Sequence, residues 1–244
     1  MPFEVLDIET LTFYNKCRII LYNVAERAKG RRIDMSLTMI KILLLVACFG
    51  HVLCCFCDRA ITYTPNGRFH FGDLNDNAKL SALFNGAPLK NQLFSMLGGV
   101  LALIMSSFGY MALYDVSTYS AVYGGILLAS YVVFIVSGTA HHVFCGVVEW
   151  FYIRMGRTEE AREIILEFFK KTSCTMAICF FGVLAFSVAL FVAVVSGATG
   201  LPRWACVFNT LPIVIALFPF KIVGSFNVSS AAMFLGLFIT LCLI

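Results

Sequence analysis

The chain has 244 residues, 60% of them hydrophobic and 13% charged, with a formal net charge of +4 and a mean hydropathy of +0.87. Soluble domains carry roughly a quarter charged residues, so this composition excludes a soluble globular protein and points to one membrane domain. The basic residues sit beside apolar runs rather than in a patch interleaved with aromatics, which gives nucleic-acid binding no support and makes membrane lipids the expected partner.

Residues 1–35 read as an amphipathic and basic N-terminal segment. Phe13, Cys17, Ile20, Leu21 and Val24 fall on one helical face of residues 11–26, as in a helix lying at a membrane surface. Charges break every apolar run here, so a cleavable signal peptide is not expected. Lys29, Arg31 and Arg32 follow, and lysines and arginines flanking a span favour the cytoplasmic side. The N-terminus is therefore expected in the cytoplasm.

Residues 36–244 read as a single all-α transmembrane domain, a polytopic helical bundle of six spans with amphipathic interfacial helices. The hydrocarbon core takes about 20 helical residues. Spans are expected at about 37–57, 93–114, 119–150, 174–195, 204–222 and 226–244, with Pro212 and Pro219 kinking the fifth. Between the first two, residues 58–92 contain TPNG, FHFGDLNDN and FNGAPLKN, strings rich in turn formers, and form an extramembrane loop with a short helix near 75–85. Gly98, Gly99, Ser106, Ser107 and Gly109 in the second span are small enough to let a neighbouring helix come close. Residues 156–172 carry acids at the start, lysines at the end and the apolar face Ala161, Ile164, Ile165, Phe168 and Phe169, the pattern of an interfacial helix. The basic clusters on either side of the first three spans would face opposite sides of the membrane under this count. Splitting residues 119–154 gives a seven-span alternative that puts both on one side.

Most of the ten cysteines lie in apolar runs, where cysteine behaves as a small hydrophobe. Cys54, Cys55 and Cys57 cluster at the end of the first span, with S-acylation of Cys55 or Cys57 as a further reading. No nucleotide-binding loop, GxSxG or HExxH occurs. Asn209 and Asn227 read as interhelical hydrogen-bonding groups, and the sequon Asn227-Val-Ser is discounted because it lies at or in a span.

The polar residues in apolar surroundings are His51, Asp58, His141, His142, Cys145 and Glu149. Spans one and three run parallel, so His51 and His141 belong to the same half of the membrane, and the 58–92 loop joins them there. His142, Cys145 and Glu149 share one helical stripe, while His141 faces an adjacent direction. His142 and Glu149 stand about 10 Å apart along the axis, too far to hold one ion. A metal, zinc in first place, would draw on His51, Asp58, His70 and His141.

The strings GHVLCCF at 50–56, SGTAHH at 137–142 and LPRW at 201–204 resemble those of an uncharacterised, mostly bacterial family of multispan proteins known as a domain of unknown function. Gly50, Leu53, Gly138 and His141 or His142 match the family's positions, and His51 stands where the family has an acid. The resemblance, over about residues 40–240, implies a fold rather than an activity. Alkaline ceramidase-like membrane hydrolases offer a looser analogy, but this chain lacks a histidine pair in its final span. The leading reading is a bundle that binds a lipid or small amphiphile near His141/His142, with no turnover assigned. The alternatives are a metal-dependent lipid hydrolase, and a small transporter or proton-coupled carrier in which histidines titrate near about pH 6.5.

Overall fold

The computed structural model describes residues 35–116 and 121–244. The expected helix at 11–26 and the basic run after it lie outside the described residues.

Helix α1 (Leu37–Thr62) starts where the Ser36 hydroxyl accepts a hydrogen bond from the Met39 amide. Such a side-chain cap satisfies one of the amides that a helix start leaves without a partner. A two-residue hairpin follows, β1 (Tyr63–Thr64) with antiparallel β2 (Gly67–Arg68), then the short helix α2 (Asn77–Leu83). Helices α3 (Leu89–Val116) and α4 (Ala121–Arg154) come next. The amphipathic α5 (Glu159–Thr172), capped by Thr158, leads into α6 (Cys174–Ser196); Ser173 between them stays in the right-handed helical region, so 159–196 runs on as one stretch. The chain closes with α7 (Thr210–Leu217) and α8 (Ser225–Leu243).

Among the described residues five helices are long and apolar enough to cross a membrane: 37–62, 89–116, 122–154, 159–196 and 225–243. The protein is therefore an integral membrane protein of helical class, but the count of six continuous spans is not reproduced. In place of the fifth expected span, residues 203–220 are broken into a 3-10 turn (Arg203–Val207), α7 and a second 3-10 turn (Phe218–Phe220). The break is at Asn209, whose extended backbone (φ −137, ψ 142) aims its amide oxygen at the Leu211 amide, 3.1 Å away. An asparagine that caps a new helix start cannot continue the preceding one. Pro212 accordingly falls in the first turn of α7, where a missing N–H costs nothing, and starts a helix rather than kinking one. One end of the broken run ties to α3 through the Gly200 amide and the Val116 carbonyl (3.2 Å); the other ties to β2 through Arg68 and the Lys221 carbonyl (3.3 Å).

The seven-span alternative fails for a different reason. Residues 121–154 form one uninterrupted 34-residue helix, leaving no turn at which to divide it. At about 1.5 Å per residue it is some 20 Å longer than a hydrocarbon core, and the surplus carries its C-terminal turns into a second apolar cluster. There Val148 and Tyr152 pack with Phe69, Leu74, Leu80 and Phe84 from the 58–92 loop and with Ala161 and Ile165 from α5. Tyr152 donates to Asn77 Oδ1 (2.7 Å), Arg157 to the Phe84 carbonyl (3.3 Å) and Arg162 to the Leu74 carbonyl (3.2 Å). Loop and α5 thus form one folded cap on the end of α4.

The main core centres on Tyr110, whose ring meets Tyr131, Phe134, Phe186 and Phe234 at centroid distances of 4.6–5.7 Å. Small residues set the spacing: a Cβ at Gly50 would lie 2.6 Å from the Ala102 carbonyl oxygen, and one at Gly109 would lie 2.3 Å from Ala47 Cβ. Helices α1 and α3 touch backbone to backbone there.

Asp73 anchors the loop. It is nearly buried, accepts from the His70 amide (2.8 Å) and pairs with Lys79 Nζ at 2.6 Å. Burial pushes its carboxyl up, but the His70 amide and the Lys79 ammonium outweigh that and hold it below the ordinary carboxylate range. A depressed carboxyl contributes stability that is complete above its unfolded value of about 3.9 and is lost as pH falls through the lower folded value. Amide-exchange protection of residues 69–84 should therefore stay level from neutral pH to about 5 and decline below about 4, and Asp73→Asn should flatten that decline. Equal acid sensitivity in the variant would mean that another group governs the loop.

Candidate functional site

Four helices contribute to one chain of polar side chains on the loop side of the bundle. Asn227 of α8 donates from Nδ2 to Asp58 Oδ2 at 2.8 Å, and its Oδ1 lies 2.9 Å from His51 Nδ1, both of these on α1. A carboxylate only accepts, so the amide nitrogen must face Asp58 and the amide oxygen must face His51. That oxygen can only accept in turn. His51 therefore carries its proton on Nδ1, and its lone pair is on Nε2.

His51 is 1% exposed and stacks on Phe234 (centroids 5.5 Å), and its Nε2 has no partner among the described residues. On the other side of Asp58, Oδ1 lies 3.5 Å from His142 Nδ1 on α4. His142 Nε2 lies 2.9 Å from the Ser95 carbonyl oxygen and 3.2 Å from Ser95 Oγ, both on α3. The carbonyl cannot donate, so Nε2 of His142 holds a proton. Asp58 is partly open, with 22% of its side chain exposed.

Two glycines make room for this arrangement. A Cβ at Gly99 would sit 2.1 Å from the His142 ring, so only glycine lets the imidazole lie against α3 at that level. Gly224 starts α8 in the left-handed region (φ +71), and a Cβ there would lie 2.8 Å from Asp58 Oδ2. Its position demands glycine twice, for backbone conformation and for space.

The expected residues separate into groups. His51, Asp58 and His142 are joined, as the parallel run of α1 and α4 requires. His141 is not among them: Nδ1 is 3.2 Å from Thr175 Oγ1 and Nε2 is 3.4 Å from Cys145 Sγ, which ties α4 to α6. Glu149 is buried farther along α4 and accepts from Gln92 Nε2 at 3.2 Å. His70 is an exposed loop residue. The expected ligand set His51, Asp58, His70 and His141 does not converge: His51 reaches Asp58 only through Asn227, His141 is tied to Thr175 and Cys145, and His70 stays in the loop. Among the described residues the group that does converge is Cys54, Asp58 and His142, whose ligand atoms all lie within 4.8 Å of one another.

Ser95 and Gly224 escaped the sequence reading, Gly99 was expected only as a point of close helix approach, and Cys54 only as part of a cysteine cluster outside the expected ligand set. Cys54 and Asp58 at i and i+4 share a helical face, which is the one signal that could have singled out this cysteine.

Removing Asn227 strands His51 Nδ1 and Asp58 Oδ2 together, and each unpaired buried polar group costs about 1–3 kcal/mol. In a cycle of wild type, His51→Phe, Asn227→Leu and the double variant, unfolding in detergent should show a coupling of roughly 0.5–3 kcal/mol. Additive effects would mean that the two side chains do not depend on each other.

The model of a family of unknown function, DUF6796, matches residues 22–244, and the chain belongs to that family. No curated protein and no solved structure matches it.

Proposed function

We propose that this DUF6796 member binds an amphiphile, a lipid or lipid-like molecule with a hydroxyl or amino head group, at the Asp58 end of the polar chain. The observation that carries this reading is the chain itself: hydrogen-bonded polar groups inside an apolar bundle, with a carboxylate still partly exposed and a histidine nitrogen left as an unused acceptor. Buried acceptors are costly without donors, and a hydroxyl or ammonium supplies donors. Exposed apolar rings stand beside it: Phe226 adjoins Asn227 and meets Phe180 at 5.0 Å. A head group directed at Asp58 would leave its alkyl chain along those rings. The basic residues 29–32 support a cytoplasmic N-terminus, with this site on the opposite side of the membrane.

A second reading, a small-solute carrier, draws on the broken run 203–220. Interrupted helices at a binding site are a recurrent feature of transporters, and Thr210, at the break, lies 3.2 Å from Ser230 of α8, one turn beyond Asn227.

Mass spectrometry of protein released from a mild detergent should detect a retained amphiphile in wild type and lose it in Asp58→Asn and His51→Phe. Identical bulk lipid in all three would overturn the binding reading. Movement of a solute into proteoliposomes would favour the carrier.

A further inference from the structure

We infer that Cys54, Asp58 and His142 form a binding site for one transition-metal ion, zinc by ligand type. The inference shares Asp58 with the amphiphile reading but rests on separate observations, the His142 and Cys54 geometry.

The protonation pattern comes first. With the proton of His142 held on Nε2 by the Ser95 carbonyl, a neutral ring presents its lone pair from Nδ1, and Nδ1 faces Asp58 Oδ1. Two acceptors then oppose one another. Either an extra proton or a cation must lie between them.

Each case has its own characteristic distance. An imidazolium–carboxylate hydrogen bond draws its atoms to about 2.7–2.9 Å. Two ligands of one tetrahedral zinc, with bonds of about 2.0–2.2 Å, stand about 3.4 Å apart. The observed separation is 3.5 Å.

The surroundings are those of a metal ligand. A histidine that binds a metal through one nitrogen typically donates its other N–H to a backbone carbonyl or a carboxylate, and ligating carboxylates are themselves hydrogen-bonded. Here Ser95 fills the first role and the Asn227 amide the second. Cys54 brings the third donor from one turn before Asp58, with all three ligand atoms inside 4.8 Å. The charges also balance. A thiolate and a carboxylate neutralise a divalent cation, which suits a site where unpaired charge is costly. Sulfur with nitrogen selects zinc over calcium or magnesium. Three protein donors leave a fourth tetrahedral position, the arrangement in which zinc takes water or a substrate atom.

Elemental analysis of the full-length protein, purified in detergent without chelator and with an affinity tag free of histidine, tests the inference. One zinc per chain is expected, falling to background in Cys54→Ser and His142→Gln and unchanged in Cys145→Ser. Cobalt exchanged into wild type should give a thiolate-to-cobalt charge-transfer band that Cys54→Ser abolishes. His142→Gln keeps a side chain able to donate to the Ser95 carbonyl, so metal loss there can be read in a folded protein checked by thermal melting. Folded wild type that takes up neither zinc nor cobalt on reconstitution overturns the site in favour of an imidazolium–carboxylate pair, as does metal content indifferent to Cys54 and His142. Retained amphiphile without metal defeats this inference alone, and metal without amphiphile defeats only the preceding one.

Discussion

The Asn227 amide is the piece on which the polar chain depends, because its two ends have opposite hydrogen-bonding character and both are committed. Its nitrogen is bound to the Asp58 carboxylate, so its oxygen must take the His51 proton. One side chain of α8 thereby orients two residues that lie about two turns apart on α1. An apolar residue there would release both. A reversed amide would set oxygen against carboxylate.

Close helix approach makes that chemistry reachable. His142 could not lie against the Ser95 carbonyl if α3 carried any side chain at position 99, and Asn227 could not reach Asp58 if α8 began on a residue with a Cβ. Dispersion and shape hold helices together in lipid, where no hydrophobic force drives them against one another. Glycine at these contacts therefore serves cohesion and site geometry at once. Farther from the loop end, Gly50 and Gly109 set the same short spacing between α1 and α3 with no polar partner to place.

The loop and α5 add a folded cap with its own apolar cluster. Its aromatic residues pack on the overlong end of α4 rather than on lipid. The helix that carries His142 is therefore fixed at both levels, by α3 through Ser95 and by the cap through Tyr152. The cap also occupies His70 and Asp73 within the loop, which is why neither joins the polar chain.

Much was legible in the sequence for a plain reason: lipid makes hydropathy a strong signal. Long apolar runs without charge, the amphipathic face of residues 159–172 and the turn formers of 58–92 each have a local cause that survives folding. The parallel run of the first and third spans follows from counting and sets His51 and the His142 helix at one level. Other features depended on distance in space. Residues 203–220 are as apolar as a span, and the decision of Asn209 to cap α7 rather than continue a helix is a backbone choice that hydropathy does not register. The choice between His141 and His142 turned on rotation about one helix axis, about 100° per residue, which only packing against α3 and α6 could set. Cys54 resembled any small apolar residue until Asp58 and His142 were brought beside it. Composition and periodicity thus determined a helical membrane protein and the rim where its polar residues gather. Which of those residues meet was decided by tertiary contacts, because a hydrogen bond across 176 positions leaves no trace in local sequence.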